Sequence, residues 1–215
     1  MSMQLSLKGA SPVAALKNPY IKAFEEHPKN FGTTAVAFQR ARLCRKRILD
    51  LGCGNGHFLE RRLSESPSTF GLGIDLRFKR LFRSSEKLAD FPHGGCLHMD
   101  IRDFLRESPD QFWSELWVQF PDPWPKDRHA KNRMITAEFF FQVFRTLQVG
   151  GRFCFRSDAI AYWKLLQDLQ SRHRLFGIAI YQGSDRFESE PSTLFRETFS
   201  KKRQRVFSVE FRRTH

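Results

Sequence analysis

The stretch Phe120-Pro121-Asp122-Pro123-Trp124-Pro125-Lys126-Asp127-Arg128-His129-Ala130-Lys131-Asn132-Arg133 crowds a carboxylate, an indole and a run of cations into one short segment. The residues leading into it, Leu116-Trp117-Val118-Gln119-Phe120, read as a short strand. Proline fixes φ and has no N–H to donate, so Pro121 and Pro123 stop the strand and hold Asp122 between them. A carboxylate fixed in this way can align a cationic reactant or oppose a positive charge that develops during a reaction. The lysines and arginines that follow suit phosphate. A proline-rich turn with a solvated charge run is the plain structural alternative, and it leaves the crowding unexplained.

Such a loop needs a scaffold, and the chain before it alternates as an α/β fold does. Arg47-Ile48-Leu49-Asp50-Leu51 reads as a short buried strand and runs into Gly52-Cys53-Gly54-Asn55-Gly56, with a helix from Phe58 to about Ser64. Glycines at this spacing let the backbone approach a ligand without Cβ clashes. Asp50 beside such a loop would repel a pyrophosphate but suits a cationic ligand such as S-adenosylmethionine. A loop-bracing or capping role is its structural alternative. Phe70 to Asp75 reads as a second strand, ending in an acid placed to bind both hydroxyls of a ribose. A basic helix follows over Leu76 to Ala89. Cys96 to Met99 is a third strand, Asp100 ends it, and a helix covers Ile101 to Glu107. Helix capping explains any one of these acids and explains the set poorly. In open α/β sheets, strand C-terminal ends are where ligands bind.

After the proline loop, Thr136 to Leu147 is helical, with Phe139, Phe140, Val143, Phe144 and Leu147 forming a stripe for the core. Gly150-Gly151 ends this helix, and Arg152 to Arg156 alternates as strand five before Ser157-Asp158. Ala159 to His173 is a helix, Leu175 to Tyr181 strand six, and Val206 to Phe211 the closing strand. The expected architecture is a single Rossmann-like domain over residues 33–215, with a mostly parallel seven-stranded sheet and an antiparallel final strand. Residues 1–32, interrupted by Pro12, Pro19 and Pro28, read as an N-terminal arm with at most a short helix.

Composition narrows the partners. The chain has 215 residues and a formal net charge of +13, which calls for a polyanion, nucleic acid foremost. The cations cluster at Arg40 to Arg47, Arg77 to Arg83, Lys126 to Arg133 and Lys201 to Arg205. No apolar run is long enough to span a bilayer and no signal peptide is visible, so the expected compartment is the cytoplasm, without a membrane partner. Cys44, Cys53, Cys96 and Cys154 are scattered, with no C-x-x-C pair, which points to reduced thiols and to no metal site. The expected assembly is a monomer or a homodimer.

The Phe120–Arg133 stretch closely resembles the signature of the bacterial tRNA (guanine-N7)-methyltransferases, and the resemblance extends over roughly Arg47 to Phe211. It implies a class I methyltransferase fold, S-adenosylmethionine as cofactor and tRNA as substrate, methylated in the variable loop. The family's cofactor contacts fall on Asp50, Asp75, Asp100 and Asp122, with Gly52 and Gly54 in the glycine loop. The first two acids are usually glutamate in the family, so here each carboxylate reaches one methylene less. Asp122 takes the catalytic role. Substrate contacts fall on Lys126, Arg128, Lys131, Arg133 and Asp158, and a closing Thr-x-x-Glu motif begins at Thr193. Its fourth position is Arg196 instead of glutamate, and a family glycine nearby appears as Arg203. Either Glu197 slips into the glutamate's place, or Arg196 contacts phosphate or an acid while Asp158 reads the base, or Arg196 is a solvated helix residue. The alternatives to the family reading are a methyltransferase for another nucleobase and a basic RNA-binding protein on a degenerate methyltransferase scaffold.

Overall fold

The computed structural model describes residues 18–122, 134–183, 187, 190 and 205–215. Strands β1 (Arg47–Leu51), β2 (Phe70–Asp75), β3 (Gly94–His98), β4 (Trp113–Gln119), β5 (Leu147–Ser157), β6 (Ile178–Gln182) and β7 (Phe207–Arg212) form one sheet of order β3-β2-β1-β4-β5-β7-β6. All neighbouring pairs are parallel except those of β7, which runs antiparallel between β5 and β6. The expected sheet, with its antiparallel final strand, is therefore present.

Alternation along the strands splits the core into two layers, since successive side chains point to opposite faces. Leu49, Leu116, Val118, Phe153 and Phe155 face one layer, covered by α2 (Thr34–Ala41), α5 (Ile101–Glu107), α6 (Ala137–Thr146) and α7 (Ile160–His173). Ile48, Trp117 and Cys154 face the other, covered by α1 (Pro19–Glu25), α3 (His57–Glu65) and α4 (Phe78–Lys87). The phenylalanine stripe of α6 enters the first layer as expected.

Two departures from the sequence reading have clear causes. Strand β5 starts at Leu147, directly after α6, and passes through both glycines. Gly150 takes φ +80°, its N–H donates to Arg213 O and Arg213 N–H donates to Gly151 O, so the tail extends the strand. The segment read as an arm contributes to the core. Asn18 caps α1 by accepting from Tyr20 N–H, Phe24 is buried, and Phe31 stacks on Phe70. Phe31 N–H donates to Cys96 O while Cys96 N–H donates to Lys29 O, which covers the β3 edge. Gly95 permits this approach, because a Cβ there would lie 2.1 Å from the Phe31 ring. Among the described residues, no helix is long and apolar enough to cross a membrane.

Burial also imposes an electrostatic condition on β4. Glu115 accepts from Arg62 Nη2 and Arg152 Nη2, each at 3.0 Å, and from Trp117 Nε1 at 3.0 Å, with Lys46 Nζ at 2.9 Å. Burial alone would raise its pKa, but the Arg152 and Arg62 charges together with the Lys46 and Trp117 hydrogen bonds outweigh burial and bring it down to about 2. The stabilisation is thus full above the ordinary glutamate pKa and is lost as pH falls toward 2. Glu115→Gln is expected to lose about 3 kcal/mol at pH 7, with a smaller deficit at pH 3. Urea unfolding at both pH values checks this, and a deficit independent of pH counts against it.

Candidate active site

Strand β1 hands over to the glycine loop, where Gly52, Gly54 and Gly56 take φ of +83°, +57° and +79°. A side chain strains in that region, so the loop is built on glycine. Gly52 N–H and Cys53 N–H both donate to Ile74 O, at 2.8 and 3.0 Å, pinning the loop to β2. Asp75, the last residue of β2, completes the link. One carboxylate oxygen accepts from Gly54 N–H at 3.1 Å and the other from Arg77 N–H at 2.9 Å. Its carboxylate is therefore fixed in direction while still lining a cavity.

Beyond β3, Asp100 caps α5 by accepting from Arg102 N–H at 2.8 Å and receives the Arg102 guanidinium at 3.0 and 2.8 Å. The guanidinium hydrogen bonds hold its carboxyl below the usual aspartate range. Beyond β4, Phe120 turns through φ +51°, a conformation uncommon outside glycine. Its N–H donates to Arg156 O at 2.8 Å, and Tyr162 OH donates to Asp122 O at 2.7 Å. The turn is thus bolted to β5 and α7 while the Asp122 side chain stays 70% exposed, 3.9 Å from Arg77 Nη2.

These strand ends enclose a cavity of about 380 Å³. Gly52, Asp75, Asp100 and Asp122 line it together, with Arg77, Arg80, Arg102 and Gln119. Asp50 lies behind this wall. It sits one residue inside β1, opposite Gly73 and Trp117, and is 2% exposed. Burial pushes its carboxyl up to about 7, reinforced by the nearby Asp75 charge and opposed by the Gln119 amide and the Arg156 charge. The short aspartate side chain leaves it as a buried, readily protonated acid beneath the cavity floor.

Of the site residues expected from sequence, the structure therefore brings together Gly52, Asp75, Asp100 and Asp122 on one cavity, with Gly54 braced against Asp75. Asp158 follows β5, on the same edge of the sheet. Lys126, Arg128, Lys131, Arg133, Thr193 and Arg196 lie outside the described residues, as does Arg203. The sequence reading missed Gln119, Arg102 and Tyr162. Gln119 had a signal, since it is a polar residue facing into the sheet one position before the loop. Arg102 had a weaker one, two residues after a helix-capping aspartate. Tyr162 acts through a fold contact that no local pattern announces. Cys44, Cys53, Cys96 and Cys154 are all free and buried, away from a reacting role.

A sheet of this order, with a glycine loop after β1 and acids at the ends of β2, β3 and β4 around one cavity, defines the class I methyltransferase architecture. Residues 45–209 match the family described as "Putative methyltransferase", and the chain belongs to that methyltransferase family. It is similar to the tRNA (guanine-N(7)-)-methyltransferase of Syntrophotalea carbinolica, 29% identical over 68% of this chain and 63% of that protein. It is also similar to the protein of the same name from Streptococcus pneumoniae, 27% identical over 75% of this chain and 79% of that one. The match thus spans just under two thirds of the first relative's length. Among solved structures, the 16S rRNA methyltransferase KamB shares the fold with a TM-score of 0.65 at 15% identity, over 86% of this chain and 95% of that one.

The raised Asp50 pKa has a consequence for stability. An acid protonated more readily in the folded than the unfolded state favours folding at low pH and loses that contribution as pH rises toward its folded pKa near 7. The wild-type chain should lose about 2–3 kcal/mol relative to Asp50→Asn between pH 5 and pH 8. Denaturant titrations at the two pH values test this. Parallel pH dependence of the two proteins would place the buried charge elsewhere.

Proposed function

We propose that this chain transfers a methyl group from S-adenosylmethionine to N7 of a guanine in tRNA. The observation that carries the reading is the placement of Asp122, held by its backbone between β4, β5 and α7 and exposed at the mouth of a cavity lined by Asp75 and Asp100. Further support comes from the family match, the names of the two relatives and the net charge of +13, suited to a polyanionic substrate.

The residues present fit that cofactor. Asp75 is a carboxylate of fixed direction, suited to accept from ribose hydroxyls, and the glycine loop beside it leaves backbone close to the cavity. Asp100 and Ile101 form the wall that an adenine ring would meet. The cofactor supplies an electrophilic methyl group on a sulfonium. Guanine N7 carries an in-plane lone pair and needs no deprotonation, so the reaction asks for alignment and for a negative charge near the purine as it becomes cationic. Asp122 has the position and the charge for this. Asp158 is assigned to the guanine N1–H and amino group, and Lys126, Arg128, Lys131 and Arg133 to tRNA phosphate. Thr193 and Arg196 complete the substrate side. Guanine N7 lies on the major-groove edge, which is deep and narrow in A-form RNA, so the target sits in a loop or leaves its stack. Such an enzyme works in the cytoplasm.

Mass spectrometry of nucleosides from tRNA treated with the protein and S-adenosylmethionine tests the reading. Appearance of 7-methylguanosine supports it, and methylation of another base or none overturns it. Asp122→Asn keeps the shape and loses the charge. It is expected to slow methyl transfer about 10²–10³-fold in single turnovers at saturating cofactor and tRNA. A wild-type rate in that variant would leave Asp122 as a loop brace.

A further inference from the structure

Most of the basic helix α4 lies outside the cofactor scheme, and the cations of its first turn oppose the helix's own dipole. Arg77 is its N-cap, Lys79 and Arg80 fill its first turn, and that turn has no acid. Cations at a helix N-terminus oppose the macrodipole. Arg80, Arg83 and Lys87 recur at helical spacing on one stripe, where like charges three and four residues apart repel. Glu86 is the helix's single acid, and it acts on His27.

Several arginines elsewhere in the chain are engaged by side-chain or backbone acceptors. Arg62 and Arg152 hold Glu115, Arg145 holds the carbonyls of Leu105 and Ser108, and Arg156 holds Gln119. The side chains of Arg80, Arg83 and Lys87 make no hydrogen bond or ion pair among the described residues. Arg83 is exposed and the other two are half-buried. The stripe begins at the cavity, which Arg80 lines, and leads away from it. A repulsive row of unpaired cations that starts at an active-site mouth is accounted for by a polyanion lying along it.

We propose that the Arg80–Arg83–Lys87 stripe of α4 is a phosphate-docking track for the tRNA backbone, on the β2 side of the cavity. This rests on tRNA being the substrate. The track lies apart from the Lys126–Arg133 run in sequence, so the RNA is gripped by two separate basic elements. Beyond Arg80 at the cavity, Arg83 and Lys87 contribute affinity and orientation away from the cofactor.

The test uses the full-length chain as Arg83→Gln/Lys87→Gln, which removes two charges that do not line the cavity and keeps good helix formers. A control, Arg45→Gln/Arg174→Gln, removes two exposed cations from the opposite edge of the sheet. Filter binding of a tRNA transcript over about 50–200 mM salt should show a log–log slope shallower by about two units in the α4 variant and a roughly tenfold loss of affinity at low salt. The control should change neither measure to that extent. Calorimetric S-adenosylmethionine affinity should stay within about twofold, since a phosphate contact carries no cofactor energy. A slope equal to wild type, or equal to that of the control, overturns the track while leaving the tRNA reading intact. A wild-type protein that binds tRNA without salt dependence overturns the track alone, and one that binds no tRNA at low salt overturns both.

Discussion

Arg156 is fully buried, and a guanidinium in that position is tolerated only when its donors are met and its charge is answered. Meeting that condition organises the active-site end of the sheet. Its Nη1 donates to Gln119 Oε1 at 2.9 Å, directly across the β4–β5 register, and its Nη2 donates to Phe187 O. Its plane lies over the Trp117 and Phe187 rings, 5.5 and 5.2 Å from their centroids. Its own carbonyl receives Phe120 N–H, the first hydrogen bond of the Pro-Asp-Pro turn. One residue thereby ties the end of β4, the start of the loop after it and the segment after β6 to a single point. Asp50, on the same face of the sheet, belongs to this group through the Gln119 amide and the Arg156 charge.

That arrangement explains why similar acids at neighbouring strand ends take different characters. Asp50 is enclosed and is pushed toward the neutral form. Asp75 is directed by two backbone donors, and Asp100 is held ionised by an arginine of its own helix. Asp122 is anchored through its backbone carbonyl, and its carboxylate stays exposed with Arg77 Nη2 3.9 Å away. Fixing the backbone and sparing the side chain is what a preorganised charge requires.

Much of this was legible in the chain. Strands β1 and β2 and helix α5 have the expected residues because each combines a buried run with an abrupt stop, at the glycine loop, at Asp75 and at Asp100. The α6 boundary was less legible, since Gly150-Gly151 suggests a helix stop, whereas pairing with Arg213 draws those residues into β5. Proline spacing suggested an arm before residue 33. It could not show that Phe24 and Phe31 bury themselves against α4 and the β3 edge, because that depends on Gly95 in a distant strand. The same limit hid the depth of Asp50. Proximity to a glycine loop is a sequence property, but burial beneath it follows from β1 being flanked by β2 and β4.

The charge pattern then has a single logic. A strongly basic protein whose cavity carries three carboxylates beside three arginines faces a conflict, since its long-range field attracts polyanions and repels a cationic ligand. Distance resolves it. At physiological salt, exposed charges act over about 8 Å, so a ligand within the cavity responds chiefly to the charged groups that line it. Arg102 and Arg77 sit at that boundary beside Asp100 and Asp122, where they temper the acids without displacing them. Outside it, α4 continues the positive field along the surface. Carboxylates and cations thus lie a few ångströms apart, in the cavity and along its rim.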